Sequence, residues 1–189
     1  GKAYFWAACS GAVHLPYLWL LAKAYTHGDF SVSYPVARGG GAAQAAVGGV
    51  LFLSDDLNWV EMLGIATVVG GLCLLAVGAT GRNLAIALGV SATIGTYSVL
   101  DAAGSRVTTG SIAYIFATMI GGALANTTFA LATGRRHDMA AMLRLRWKPA
   151  LGAGIAATAT YGMVTVAWQH ASVGYVTALR ESSVILAAL

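Results

Sequence analysis

Charge is what this 189-residue chain lacks most: only 10% of its residues are Asp, Glu, Lys or Arg, against 58% that are hydrophobic. Soluble domains carry roughly 25% charged residues, so too few ionic groups exist here to cover a water-facing surface. The same shortage excludes a disordered chain and a nucleic-acid-binding surface. Proline is scarce at 3 residues, and the 24 glycines show no Gly-X-Y period, so a collagen-like chain is excluded too. Cysteine is limited to Cys9 and Cys73, both inside apolar runs, which suits packing rather than a disulfide or a metal. The signatures of soluble catalysis are missing as well. His14, His27, His137 and His170 form no H-E-x-x-H pair, Ser91 sits in GVSAT rather than G-x-S-x-G, and no P-loop lysine occurs. Asp55-Asp56 lacks the third acid of a metal-diphosphate site, because Trp59 stands there. No enzyme, cofactor or metal site is expected.

What remains is a polytopic helical membrane protein. The few charges punctuate long apolar runs: twenty uncharged residues separate Lys2 from Lys23, twenty separate Glu61 from Arg82, and twenty-eight separate Arg106 from Arg135. About 20 apolar residues cross the ~30 Å hydrocarbon core. Spans are therefore expected near 3–25, 33–54, 60–80, 84–103, 111–133, 150–170 and 174–189, that is, six complete helices and a truncated seventh. The runs are continuous and do not alternate, which excludes barrel strands. The first residue is Gly and the last six are VILAAL, which reads as an internal piece of a longer chain. Six of the eleven basic residues are Arg82 and the group Arg135, Arg136, Arg144, Arg146 and Lys148. A basic loop over 134–148 suits a membrane flank near anionic headgroups and is assigned to the cytoplasm by its charge. Gly41, Ala45 and Gly49 form a four-residue repeat of small side chains, as do Gly152, Ala156 and Thr160. Both suit close helix approach in lipid.

Two segments look alike. Ala24-Tyr25-Thr26-His27-Gly28 leads through a turn to Tyr34-Pro35-Val36-Ala37-Arg38. Ala167-Trp168-Gln169-His170-Ala171 leads likewise to Val176-Thr177-Ala178-Leu179-Arg180. Each copy reads as a helix end, a tight turn and an arginine one turn into the next helix. Internal repeats in helical membrane proteins mark transporters that bind substrate where the repeats meet.

The string YPVARGGGAAQAAVGGVLFLSDDLNWVEMLGIATVVGGLCLLA and the string ASVGYVTALRESSVILAAL resemble EamA-like members of the drug/metabolite transporter superfamily. The resemblance covers essentially the whole chain. It implies a ten-helix fold of two inverted five-helix repeats, with residues 1–80 supplying the last three helices of the first repeat and 81–189 the first four of the second. It also implies a secondary exporter of small metabolites in a cell membrane of bacterial inner-membrane type. A lipid-linked-sugar or small-lipid flippase of the same superfamily is the alternative. The ten-helix layout would put loop 134–148 outside, against the charge rule, so orientation stays open, as does the oligomeric state. The expected partners are a small-molecule substrate and the lipid bilayer.

Candidate pathway residues are the polar and aromatic groups within spans, where charge is expensive. They are Arg38, Arg180, Glu181, Asp101, Tyr97, His14, Tyr161 and Trp168. Arg38 has no adjacent acid and is expected to snorkel, bind a carbonyl or meet an anionic substrate group, whereas Arg180 is expected to be compensated by Glu181. Asp101, four residues after Tyr97, either faces a cavity or caps its helix beside Arg106. His14 is a substrate contact or a packing histidine, with Pro16 expected to kink its helix. Tyr161 and Trp168, two turns apart, line an aromatic path, or Trp168 belongs to an interfacial belt. Gln44 and Asn126 read as interhelical hydrogen bonders.

Overall fold

The structure, a computed structural model, describes residues 1–27, 30–76 and 81–187. It is all-helical, with no strand among the described residues. In chain order the helices are α1 (Lys2–His27), α2 (Phe30–Leu53), α3 (Trp59–Ala76), α4 (Gly81–Arg106), α5 (Ser111–Ala132), α6 (Arg136–Leu145), α7 (Trp147–Ala167) and α8 (Val173–Ala187). Five of them, α1, α2, α4, α5 and α7, contain stretches long and apolar enough to cross a membrane. The architecture is that of a multi-pass helical membrane protein. The expected third span corresponds to α3, an 18-residue helix whose described apolar part runs over Trp59–Gly71. Residues 77–80, and the side chain of Cys73, lie outside the described residues.

Local chemistry sets the helix ends. Asn58 caps α3: its side-chain oxygen accepts the Glu61 amide at 3.0 Å while the Glu61 carboxylate accepts the Asn58 amide at 3.1 Å, a reciprocal capping box. α5 stops at Gly134, whose φ of 73° opens the left-handed turn. There the Gly134 amide donates to the Leu131 carbonyl and the Arg135 amide to the Ala130 carbonyl, which closes the helix as a Schellman motif. Basic residues 135–148, read as a loop, instead hold the ten-residue α6. Met139, Met142 and Leu143 share one face of it at i, i+3 and i+4, with Arg136 at the N-terminal end of that face and Arg144 beside it, a pattern suited to a helix lying in the membrane interface. Pro16 is accommodated inside α1, which runs on as one helix to His27.

α4 is the central helix. α1 and α2 pack along it, and α5, α7 and α8 touch it. Ala24, Ala37, Val90, Ile94 and Tyr97 form one buried cluster, and Ala45, Ala102, Trp168, Val173 and Val176 form another. Lipid offers no hydrophobic force between helices, so packing relies on close approach and polar contacts. Gly41 faces Ile94 of α4 and Ala45 is fully buried, while Gly49 meets Val173 of α8, so the first small-residue repeat is a helix contact. Gly152 and Gly154 meet nothing within 4 Å, and Ala156 and Thr160 are exposed, so the second repeat faces outward among the described residues. Gln44 donates to the Ser91 hydroxyl at 2.5 Å and links α2 to α4, whereas Asn126 donates to the Gly122 carbonyl of its own helix at 2.9 Å. Threonines 96, 158 and 165 each donate to the carbonyl one turn back at 2.8 Å, which satisfies their hydroxyls without water. Phe52, Ile112, Leu131 and Ile155 stand exposed on the outside, as a lipid-facing surface requires.

Candidate functional site

Four helices converge on one cavity of about 320 Å³. The residues that line it share faces at helical spacing: His14 and Tyr17 on α1, Tyr97 and Asp101 on α4, Thr118 and Gly122 on α5, Ala157 and Tyr161 on α7. Asp101 does not end its helix, because α4 continues to Arg106 and sets the carboxylate more than a turn inside. The side chain is fully buried. Three hydroxyls answer it. Tyr161 donates to Oδ2, Tyr114 donates to Oδ1 at 3.4 Å, and Ser10 of α1 hydrogen-bonds the same carboxylate. Gly104 makes the Tyr114 contact possible, because a Cβ there would overlap the Tyr114 hydroxyl.

The aromatic groups are ordered around that acid. The His14 ring lies 4.7 Å from Tyr97, and Tyr17 meets both edge-on, 5.9 Å from His14 and 5.8 Å from Tyr97. His14 Nδ1 lies 2.8 Å from the Ser10 carbonyl oxygen. A carbonyl only accepts, so Nδ1 carries the proton. His14, Tyr97, Asp101 and Tyr161 thus border one space. The sequence reading misses Tyr114 and Ser10, although each has a polar residue four positions on along its own helix face, Thr118 and His14 respectively.

Arg38, Arg180 and Glu181 do not line this cavity but adjoin it, close enough for their charges to act on Tyr97. α2 and α8 run antiparallel, with Ala46 against Gly174 and Gly49 against Val173. That register brings Arg38 to Glu181, which corrects the expectation that Arg38 lacks an acid. Arg38 Nε lies 2.9 Å from Glu181 Oε2, and Arg180 Nη2 lies 3.2 Å from Oε1. One carboxylate answers two guanidiniums about two turns into each helix, deeper than the single turn expected. Arg38 also borders a second cavity of about 210 Å³ with Tyr25, Ser33 and Tyr34, and Tyr17 lines both cavities. Neither Arg180 nor Glu181 lines either one.

No protein-family model, no curated protein and no solved structure matches the chain. The site is therefore read from its own geometry.

Trp168 corrects another expectation. It is fully buried beside Val173 and Val176 and is not among the residues that line the cavity. Its ring meets Tyr161 edge-on at 6.1 Å, so it buttresses the cavity tyrosine from behind. Arg106, expected beside Asp101, turns to Asp55 at 2.6 Å and donates to the Trp168 carbonyl at 2.9 Å and the Ala171 carbonyl at 3.2 Å. Asp55 accepts the Val173 amide at 2.7 Å, at the start of α8. This knot joins the α2–α3 link, the end of α4 and the α7–α8 turn. The side chain of His27, the first copy's counterpart of His170, lies outside the described residues. Among the described residues no group of three or more His, Cys, Asp or Glu side chains could hold a metal ion.

Proposed function

We propose that the chain forms the substrate-binding part of a secondary transporter of small metabolites, an exporter on the EamA-like plan. Residues 1–80 belong to the first repeat and 81–189 to the second, and one repeat rocks against the other in alternating access. The supporting observation is the cavity of about 320 Å³ set among α1, α4, α5 and α7, with the buried Asp101 carboxylate on its wall. An ionisable group within membrane-spanning helices is costly and marks ligand or ion pathways, and the volume falls within the roughly 300–1,000 Å³ of small-ligand pockets. The antiparallel α2 and α8, each with an arginine about two turns in, support the inverted-repeat reading. A bacterial inner membrane is the proposed location.

The test is transport by the protein reconstituted in vesicles, screening amino acids, aromatic metabolites and organic cations with and without a pH gradient. Saturable movement of at least one class is expected. No movement of any class, together with hydrolytic or transferase activity, would refute the reading.

A small-lipid flippase of the same superfamily is a second reading, favoured by one feature: Ala123, Asn126 and Ala157 at the cavity margin on α5 and α7 are exposed. A substrate with an acyl tail could lie there with its headgroup inside. Leaflet exchange of a fluorescent lipid in the same vesicles, without transport of any water-soluble compound, would select it.

A further inference from the structure

We infer that the cavity bounded by His14, Tyr17, Tyr97, Asp101 and Tyr161 binds an organic ammonium ion; this deepens the transporter reading and rests on it. Each carboxylate held within the helix bundle should be answered by positive charge or by strong dipoles, because burial strips its water. Asp55 is answered by Arg106 and Glu181 by Arg38 and Arg180. Asp101 has no ion pair among the described residues. Its hydrogen-bond partners are the hydroxyls of Tyr161, Tyr114 and Ser10, and the His14 imidazole also favours its charge from across the cavity; together they lower the cost of the charge without forming an ion pair.

The rest of the wall suits a cation. His14, Tyr17 and Tyr97 form a mutually packed aromatic surface with ring centroids 4.7 to 5.9 Å apart. Aromatic faces carry negative charge density and attract alkylammonium groups. No Lys or Arg lines the cavity, and Arg38 and Arg180 are turned to Glu181. An anion would meet the Asp101 charge with no Lys or Arg in the wall to offset it, since Arg180, which lies near Tyr97 and Tyr161, is committed to Glu181. A neutral ligand would leave that charge unanswered. A methylated or primary ammonium fills both needs, with its charge near Asp101 and its alkyl surface against the rings.

Choline and 3,3-dimethylbutan-1-ol have the same shape and differ only in charge. Binding of each, and of benzoate as an anion, is measured by calorimetry on the purified protein. Choline is expected to bind about 10-fold or more tightly than its neutral isostere, the range of a desolvated cation–π and ion-pair site. Asp101→Asn should erase that preference. Tyr97→Leu should weaken choline by about 5-fold while Tyr97→Phe retains it. If Asp101→Asn does not fold, the isostere pair and the Tyr97 pair still decide. Equal binding of the neutral isostere, tighter binding of benzoate, or no choline binding up to about 10 mM overturns the inference. Saturable transport of another small metabolite with no choline binding would sink the ammonium class alone. Choline binding without transport of any compound would sink the transporter reading and leave the site standing.

Discussion

Asp55 and Asp101 are both withdrawn from solvent, yet the protein treats them differently. Asp55, at the link between α2 and α3, meets the Arg106 guanidinium at 2.6 Å and the Val173 amide at 2.7 Å. Asp101, inside α4, accepts hydrogen bonds from hydroxyls and has no guanidinium partner, with the His14 imidazole nearby. Position explains the contrast. Helix ends gather arginines, free backbone amides and turns, so a carboxylate there can be fully paired and can tie three elements together. Inside the bundle a second charge is itself expensive, and Asp101 is answered by tyrosines on neighbouring helices instead. A carboxylate paired with arginine is a fastener; one held by neutral donors is, on the inference above, the group that meets a cation entering the cavity. Glu181 extends the first class into the spans, since it is shared by Arg38 and Arg180.

The largest effect is expected where one acid serves two cations. Glu181→Gln leaves two guanidiniums against a neutral amide and should lower stability by about 3 kcal/mol. Thermal unfolding in detergent reads this, and adding Arg38→Gln to the same protein should recover part of the loss. If Glu181→Gln leaves the unfolding midpoint unchanged, the seam between α2 and α8 is not a fastener. Asp55→Asn comes next, at about 2 kcal/mol, because it weakens a paired and hydrogen-bonded charge while an amide can still accept the Val173 N–H. Gly104→Ala follows at about 1.5 kcal/mol, the cost of inserting a methyl against the Tyr114 hydroxyl. It should also weaken choline binding, because displaced Tyr114 no longer holds Asp101. Wild-type binding in that variant would show that the Tyr114 contact does not position the acid. The smallest effect belongs to Gly152→Leu, which meets open space on the outer face of α7 and should change stability by no more than about 0.5 kcal/mol. A large loss there would mean that the second small-residue repeat packs against a helix after all.

The helical class was legible in the sequence because charge scarcity and run length are set by the bilayer itself; the count was not, since seven spans are expected and the described residues form eight helices, five of them long and apolar enough to cross. The boundaries of α1, α2, α5 and α7 fall within a few residues of those expected. The amphipathic α6 was hidden, since a basic, mixed stretch of ten residues shows no apolar run. In the site, Tyr97 and Asp101 on one face followed from their four-residue spacing, and His14 and Tyr161 stood out as polar aromatics in mid-span. The pairings did not follow. Arg38 meets Glu181 across 143 positions of sequence, and Arg106 chooses Asp55 over the nearer Asp101. Spacing along one helix reports only that helix's own faces, whereas these partners are fixed by how α2, α4 and α8 cross. Trp168 misled for the same reason: a tryptophan at a helix end suits the interface, but the α7–α8 turn folds this one beneath α8.

The contrast between the two aspartates is tested most directly by a thermal-shift measurement on wild type, Asp55→Asn and Asp101→Asn, each with and without saturating choline. A ligand that binds only the folded state raises the midpoint, so one experiment reads both the fastener and the site. Asp55→Asn should melt lower than wild type and keep the full choline-induced rise, whereas Asp101→Asn should melt at or above wild type and lose the rise. A choline-induced rise that survives Asp101→Asn, or vanishes in Asp55→Asn, would contradict the assignment of the two carboxylates.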